Sequence, residues 1–71
     1  MAPFPYRGLQ IHVTSFEEPH GIWWPNATIE DPSTGETAPV SLPSFARSQK
    51  EAALLAIREA RMRIRANTWH N

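Results

Sequence analysis

The residues best suited to acid–base or metal chemistry are the three histidines, His12, His20 and His70. They are scattered along the chain and lack the i,i+4 helical spacing of a compact metal site. Each is expected at the surface or on a strand edge rather than as a ligand. Glu17-Glu18 is an adjacent carboxylate pair in a turn sequence, expected to be solvated rather than poised as an acid/base couple. No serine stands in a nucleophile-elbow context, and three glycines offer no phosphate-cradling loop. The absence of cysteine removes disulfides, zinc–thiolate sites and thiol nucleophiles. A 71-residue chain with one core also rarely encloses a pocket. No catalytic, cofactor-binding or metal-ligating residue is therefore expected, and the chain does not read as an enzyme.

Binding chemistry is better represented. Adjacent strand residues point to opposite faces, so Trp23 and Trp24 cannot both enter one core unless Pro25 distorts the strand. Parity with Ala27 and Ile29 predicts Trp23 inside and Trp24 outside. An outward Trp24 beside His12, Asn26 and Thr28 would form a flat aromatic–polar patch suited to a protein partner. The competing expectation is that Phe4, Pro5 or Tyr6 of the proline-rich N-terminal segment covers Trp24.

On the helix that follows, Leu55 and Met62 are apolar where water is expected and could seed a homodimer. Arg58, Arg61 and Arg65 form a stripe beside the buried face. With Lys50, that stripe is a candidate for tracking a nucleic-acid backbone; it could equally pair with strand acids or cover the core rim. Trp69 is expected to fold onto the sheet edge or to pair across a dimer.

These residues must be positioned by few elements. All seven prolines precede Ser44, and the remainder contains neither proline nor glycine, which separates an extended half from a helical half. Leu9 to Thr14 alternates apolar and polar, placing Leu9, Ile11 and Val13 towards a core and Gln10, His12 and Thr14 outwards. After a polar turn at 17–21, Ile22 to Glu30 reads as a second strand, with a bulge or unpaired edge at Pro25. The stretch from Asp31 to Glu36 reads as a hairpin loop in which Gly35 takes positive φ. Thr37 to Leu42 is a short third strand with Ala38, Val40 and Leu42 on one face, and Pro39 indicates an edge.

Ser48 and Glu51 form a capping box that opens a helix running to about Ala66. Ala53, Ala56, Ile57, Ala60 and Ile64 fall on its buried side. The expected fold is α+β: a three-stranded antiparallel β-meander packed against one C-terminal α-helix (β-β-β-α). It forms a single domain over 1–71, with a flexible arm at 1–7, the meander at 8–43, the helix at 48–66 and a tail at 67–71.

The net charge of zero argues against a dedicated phosphate-gripping domain. It hides an uneven split, because one basic residue faces five acidic ones before Phe45 and six basic residues face two acidic ones after it. A basic helix lying on an acidic sheet accounts for this, with an acidic partner as the alternative. No apolar run approaches the roughly 20 residues needed to span a bilayer. The N-terminal residues lack charged and apolar signal regions, so a cytoplasmic protein without membrane contact is expected.

The Trp23-Trp24 strand, the loop from Asp31 to Glu36 and the alanine-rich helix from Glu51 together resemble the small uncharacterised β-β-β-α proteins of proteobacteria. That resemblance covers most of the chain and implies no activity. In outline the chain is also similar to double-stranded-RNA-binding domains. It departs from them in lacking a preceding helix and a lysine cluster at the last helix, where only Arg47 and Lys50 stand. Integrase N-terminal DNA-binding domains share the three-stranded outline but need basic residues on the open sheet face. The face predicted here shows Gln10, His12, Thr14, Trp24, Asn26 and Thr28 instead. The expected function is a non-enzymatic protein-interaction or accessory module acting through Trp24, His12, Asn26, Leu55 and Met62, on an unknown protein partner or a second copy. The alternative is a weak nucleic-acid-binding domain using Lys50, Arg58, Arg61 and Arg65.

Overall fold

The computed structural model describes residues 3–69. It is α+β, with antiparallel strands on one side and one helix near the C-terminus. Strands β1 (Phe4–Tyr6), β2 (Leu9–Val13), β5 (Asn26–Asp31) and β6 (Glu36–Ser41) form a four-stranded sheet in the order β1-β2-β5-β6. Strands β3 (Phe16–Glu18) and β4 (Ile22–Trp24) pair separately, and α1 spans Gln49–Arg65. The three-stranded meander is thus corrected to six strands in two sheets.

Two strands lie in segments that read as irregular. Tyr6 pairs with Leu9 across a two-residue turn in which Arg7 has φ 53° and Gly8 φ 81°. Two positive φ values suit the twist of a tight hairpin, so Arg7-Gly8 folds the supposed arm back as edge strand β1. The turn expected at 17–21 is shorter. Pro19–Gly21 forms a tight turn in which His20 and Gly21 take positive φ, 72° and 73°, while Phe16–Glu18 is extended.

The expected strand from Ile22 to Glu30 is divided at Pro25. Val13 faces Ala27 in one ladder and Phe16 faces Trp24 in the other, so the two ladders share one register. Together they are the halves of one long hairpin, opened where Ser15 meets Pro25. There the Asn26 amide donates to Ser15 Oγ at 3.2 Å, while the Thr14 amide donates to the Asn26 carbonyl at 2.9 Å. On its other side, Pro25 accepts from the Leu42 amide at 3.3 Å but has no N–H to return. The β5–β6 ladder ends at that point. The chain bows out at Pro43 and Ser44, then rejoins β4 through a Trp23–Ala46 bridge with bonds of 2.9 and 2.7 Å.

The loop between β5 and β6 follows its sequence. Asp31 Oδ1 accepts from the Ser33 amide at 3.0 Å, the Gly35 amide donates to the Asp31 carbonyl at 2.7 Å, and Gly35 has φ 77°. Strand β6 lies at the sheet edge. Pro39 is tolerated there because no further strand needs its missing amide.

Helix α1 starts as expected, with Ser48 Oγ accepting from the Glu51 amide at 3.1 Å. The return bond differs from a capping box, since Glu51 Oε1 accepts from the Arg47 amide at 3.0 Å, one residue further back. Ala52, Ala53, Ala56, Ala60 and Ile64 are buried, while Ile57 is half-buried at the rim. The core joins Ala56, Ala60 and Ile64 to Ile11, Ala27, Ile29, Ala38 and Val40 of the sheet. Alanine on both layers lets the helix axis approach the strands closely.

The helix ends at Asn67, whose φ is 57°. Its amide donates to Ile64 at 3.0 Å and the Thr68 amide to Arg63 at 2.9 Å, the paired bonds of a Schellman motif. This left-handed residue reverses the chain, so that Trp69, read as a tail residue at the sheet edge, is buried in the core. Asn67→Val is expected to cost about 1–2 kcal/mol, because a β-branched side chain tolerates that backbone poorly. Asn67→Gly should be neutral or stabilising, and urea unfolding of the two variants checks the contrast. His70 and the remainder of the 67–71 tail beyond Trp69 lie outside the described residues, as do the first two residues of the 1–7 arm.

Candidate functional site

The shared register of the two ladders carries the alternation of faces through the Pro25 break. Ala27 and Pro25 are buried, and Trp23 bridges to buried Ala46, so the odd-numbered positions stay on the inner side. Trp24 stands on the opposite side from Trp23, and both indoles are half-buried. Phe16 is its direct partner on β3. Extension of the Trp23–Ala46 bridge sets Phe45 across from Trp24 on the other flank, and the Trp24 and Phe45 rings meet edge to face with centroids 6.2 Å apart. Phe16, Trp24 and Phe45 therefore form a row of three aromatics across β3, β4 and the segment after β6.

This row is open to solvent. Phe16 and Phe45 are each 47% exposed, far beyond what a ring with a core role retains. The Trp24 indole N–H donates to the Glu18 carboxylate, and the Arg47 guanidinium lies 5.9 Å from the Phe45 ring centre. The two charged groups hold Trp24 and Phe45 in place and leave a polar margin around an apolar centre. The expectation that Phe4, Pro5 or Tyr6 covers Trp24 does not hold, because that segment is built into the sheet as β1, paired with β2.

Of the residues expected beside Trp24, His12 and Thr28 are direct partners on the outer side of the four-stranded sheet, with Asn26 two positions along. His12 is engaged there, its Nε2 lying 2.8 Å from Glu30 Oε1. The patch centred on Trp24 is made instead by Phe16, Phe45, Glu18 and Arg47. Phe16 could have been found by extending the first hairpin's register past Pro25. Phe45 could not, because only the return of the chain at Ala46 brings it there.

The helix candidates lie on a different surface. Leu55 is half-buried and Met62 is 46% exposed, and with Leu42, Arg58 and Glu59 they line a shallow groove between α1 and the end of β6. Leu54, not singled out from the sequence, is more exposed still. Arg58, Arg61 and Arg65 line a second depression with Met62. The Arg61 guanidinium lies over the Phe4 and Tyr6 rings, at 6.0 and 5.8 Å. Arg63 is bonded to Glu59 at 2.9 Å. Lys50 is exposed in the first turn of the helix, away from the other three basic candidates. Among the described residues, no group of three or more His, Asp or Glu side chains is placed to hold a metal ion. No described helix is long and apolar enough to cross a membrane.

Comparison with known proteins finds no matching family model, no similar curated protein and no similar solved structure.

Proposed function

We propose that this protein is a non-enzymatic interaction module that anchors a protein partner on the row formed by Phe16, Trp24 and Phe45. The observation that carries this reading is the coincidence of three aromatic rings on one outer face, two of them half in water. Aromatic side chains contribute large contact area at low entropic cost, which is why they dominate the centres of protein interfaces. Glu18 and Arg47 at the margin would give orientation through polar contacts. A polyanion is a poorer match to this row, since its charged margin carries both signs.

The test is a selection of peptides from a displayed random library against the whole protein, with affinities measured for wild type and for Phe16→Ser/Phe45→Ser. Both rings are exposed, so the double variant should stay folded. Selected ligands are expected to bind the variant at least about tenfold more weakly, with little dependence on salt. Equal affinities for both proteins would remove the aromatic row from the function.

A nucleic-acid reading stands second, on the observation that Arg58, Arg61 and Arg65 line one depression and form no ion pair among the described residues. In that case amide shifts on adding a short duplex would cluster on Arg58–Arg65. They would vanish between low and physiological salt, as counterion release requires.

A further inference from the structure

The aromatic row ends at Phe16, on a strand edge that no other described strand covers. Strand β3 pairs only with β4, and β1 lies along the same stretch of chain only from Leu9 to Ile11. The parity of the backbone bonds shows which groups face outwards at this edge. Trp23 gives both its N–H and its carbonyl to Ala46, so Ile22 and Trp24 turn theirs towards Glu18 and Phe16. The alternate residues, Ser15 and Glu17, therefore present their backbone groups to the open side.

We propose that an extended, basic segment of a protein partner adds to β3 as an antiparallel strand and sets an apolar side chain beside Phe16. The assignment rests on the row's role as a partner's anchor and specifies what that partner offers. Such a strand takes two main-chain hydrogen bonds at Ser15 and two at Glu17. Its residue opposite Phe16 points to the same outer side and lengthens the row of Phe45, Trp24 and Phe16 by one position. The two residues preceding it in the partner lie opposite Glu17 and Glu18, which form no ion pair among the described residues. Lysine or arginine at those two places supplies the missing charge. A second copy fits this edge less well. Setting Phe16 against its own copy would gather four carboxylates in one seam, and residues 16–24 contain neither lysine nor arginine to offset them.

The probe is the capped peptide Lys-Lys-Phe-Thr-Val, titrated into the full chain and followed by amide chemical shifts and hydrogen exchange. Shifts are expected at residues 14–18 and at the Trp24 indole, with a dissociation constant of about 1 mM or lower. The Ser15 and Glu17 amides should gain protection, whereas that of Phe16, already bonded within the hairpin, should change little. Methylating the backbone amide of the peptide's second lysine or of its threonine should weaken binding at least about tenfold, because both donate to the edge. The amide of its phenylalanine faces away, and methylation there should cost less than about threefold. Glutamate in place of the second lysine should weaken binding about threefold or more, and Glu17→Lys should restore that peptide.

Glu17→Pro removes an outward donor without touching the hairpin's own bonds, and edge strands tolerate proline. It should abolish binding while leaving the rest of the amide spectrum in place. A silent titration, equal effects of methylation at all three amides, or a bound peptide indifferent to Glu17→Pro would overturn the proposal. So would a mass that rises from 8.1 kDa towards twice that value without peptide, since a second copy would then hold the edge. Library-selected ligands separate this failure from that of the anchoring role. Ligands sensitive to Phe16→Ser/Phe45→Ser but not to Glu17→Pro would leave the row as anchor and remove the added strand, whereas indifference to the double serine variant would remove both.

Discussion

Trp69→Ala is expected to be among the most destabilising single changes in this chain, although the residue lies beyond the last element. Its indole is only 8% exposed and packs with Ile11, Ile29, Val40 and Ile64 in the core cluster. Truncating a buried tryptophan typically costs about 3–5 kcal/mol, through lost transfer energy and the cavity left behind. At about 0.05–0.15 kcal/mol per residue, a chain of this length holds about 4–11 kcal/mol in all. The variant would therefore lose about a quarter or more of its stability and melt about 12 °C or more lower. Thermal melting followed by far-ultraviolet circular dichroism measures the effect. A drop under about 4 °C would mean that Trp69 does not close the core.

Ile29→Ala should be comparably severe for a different reason. Ile29 is fully buried at the centre of β5, where it faces Ile11 on β2 and Ala38 on β6. Both neighbouring strands belong to the fixed frame of the sheet, and Ala38 is too small to fill the space. The cavity should remain open, for a loss of about 2–5 kcal/mol, while Ile29→Val should lose about 0.5–1.5 kcal/mol. Thr28→Ala, one residue away on the outer side, is expected to fall within about 0.5 kcal/mol of wild type. Urea unfolding of the three variants tests the gradient. Equal losses at positions 28 and 29 would contradict the assignment of faces.

Much of the frame is legible from local chemistry. Ser48 and Glu51 announce the helix start, and the run of strong helix formers without glycine or proline carries it to Arg65. Asp31, Pro32 and Gly35 specify the loop between β5 and β6, because each suits one position of that turn. The alternation of Leu9, Ile11 and Val13 assigns the faces of β2, and the same parity sets Trp23 and Trp24 on opposite sides. In each case the signal is contained within a few neighbouring residues.

The remainder depended on partners distant in the chain. Strand β1 has only three residues and a proline at its centre, and it becomes a strand because β2 offers an edge and Arg7-Gly8 can turn the backbone. Strand β3 exists because the first hairpin's register continues past Ser15, which offers its hydroxyl to the Asn26 amide beside Pro25. Phe45 joins Phe16 and Trp24 only through the bridge at Ala46, and Trp69 enters the core only through the left-handed turn at Asn67. The sequence by itself determined the elements whose stability is local, namely the caps, turns and alternating faces. Tertiary structure decided the edge strands, the aromatic row and the closing tryptophan, because backbone hydrogen bonds and apolar burial there are satisfied only when distant segments meet.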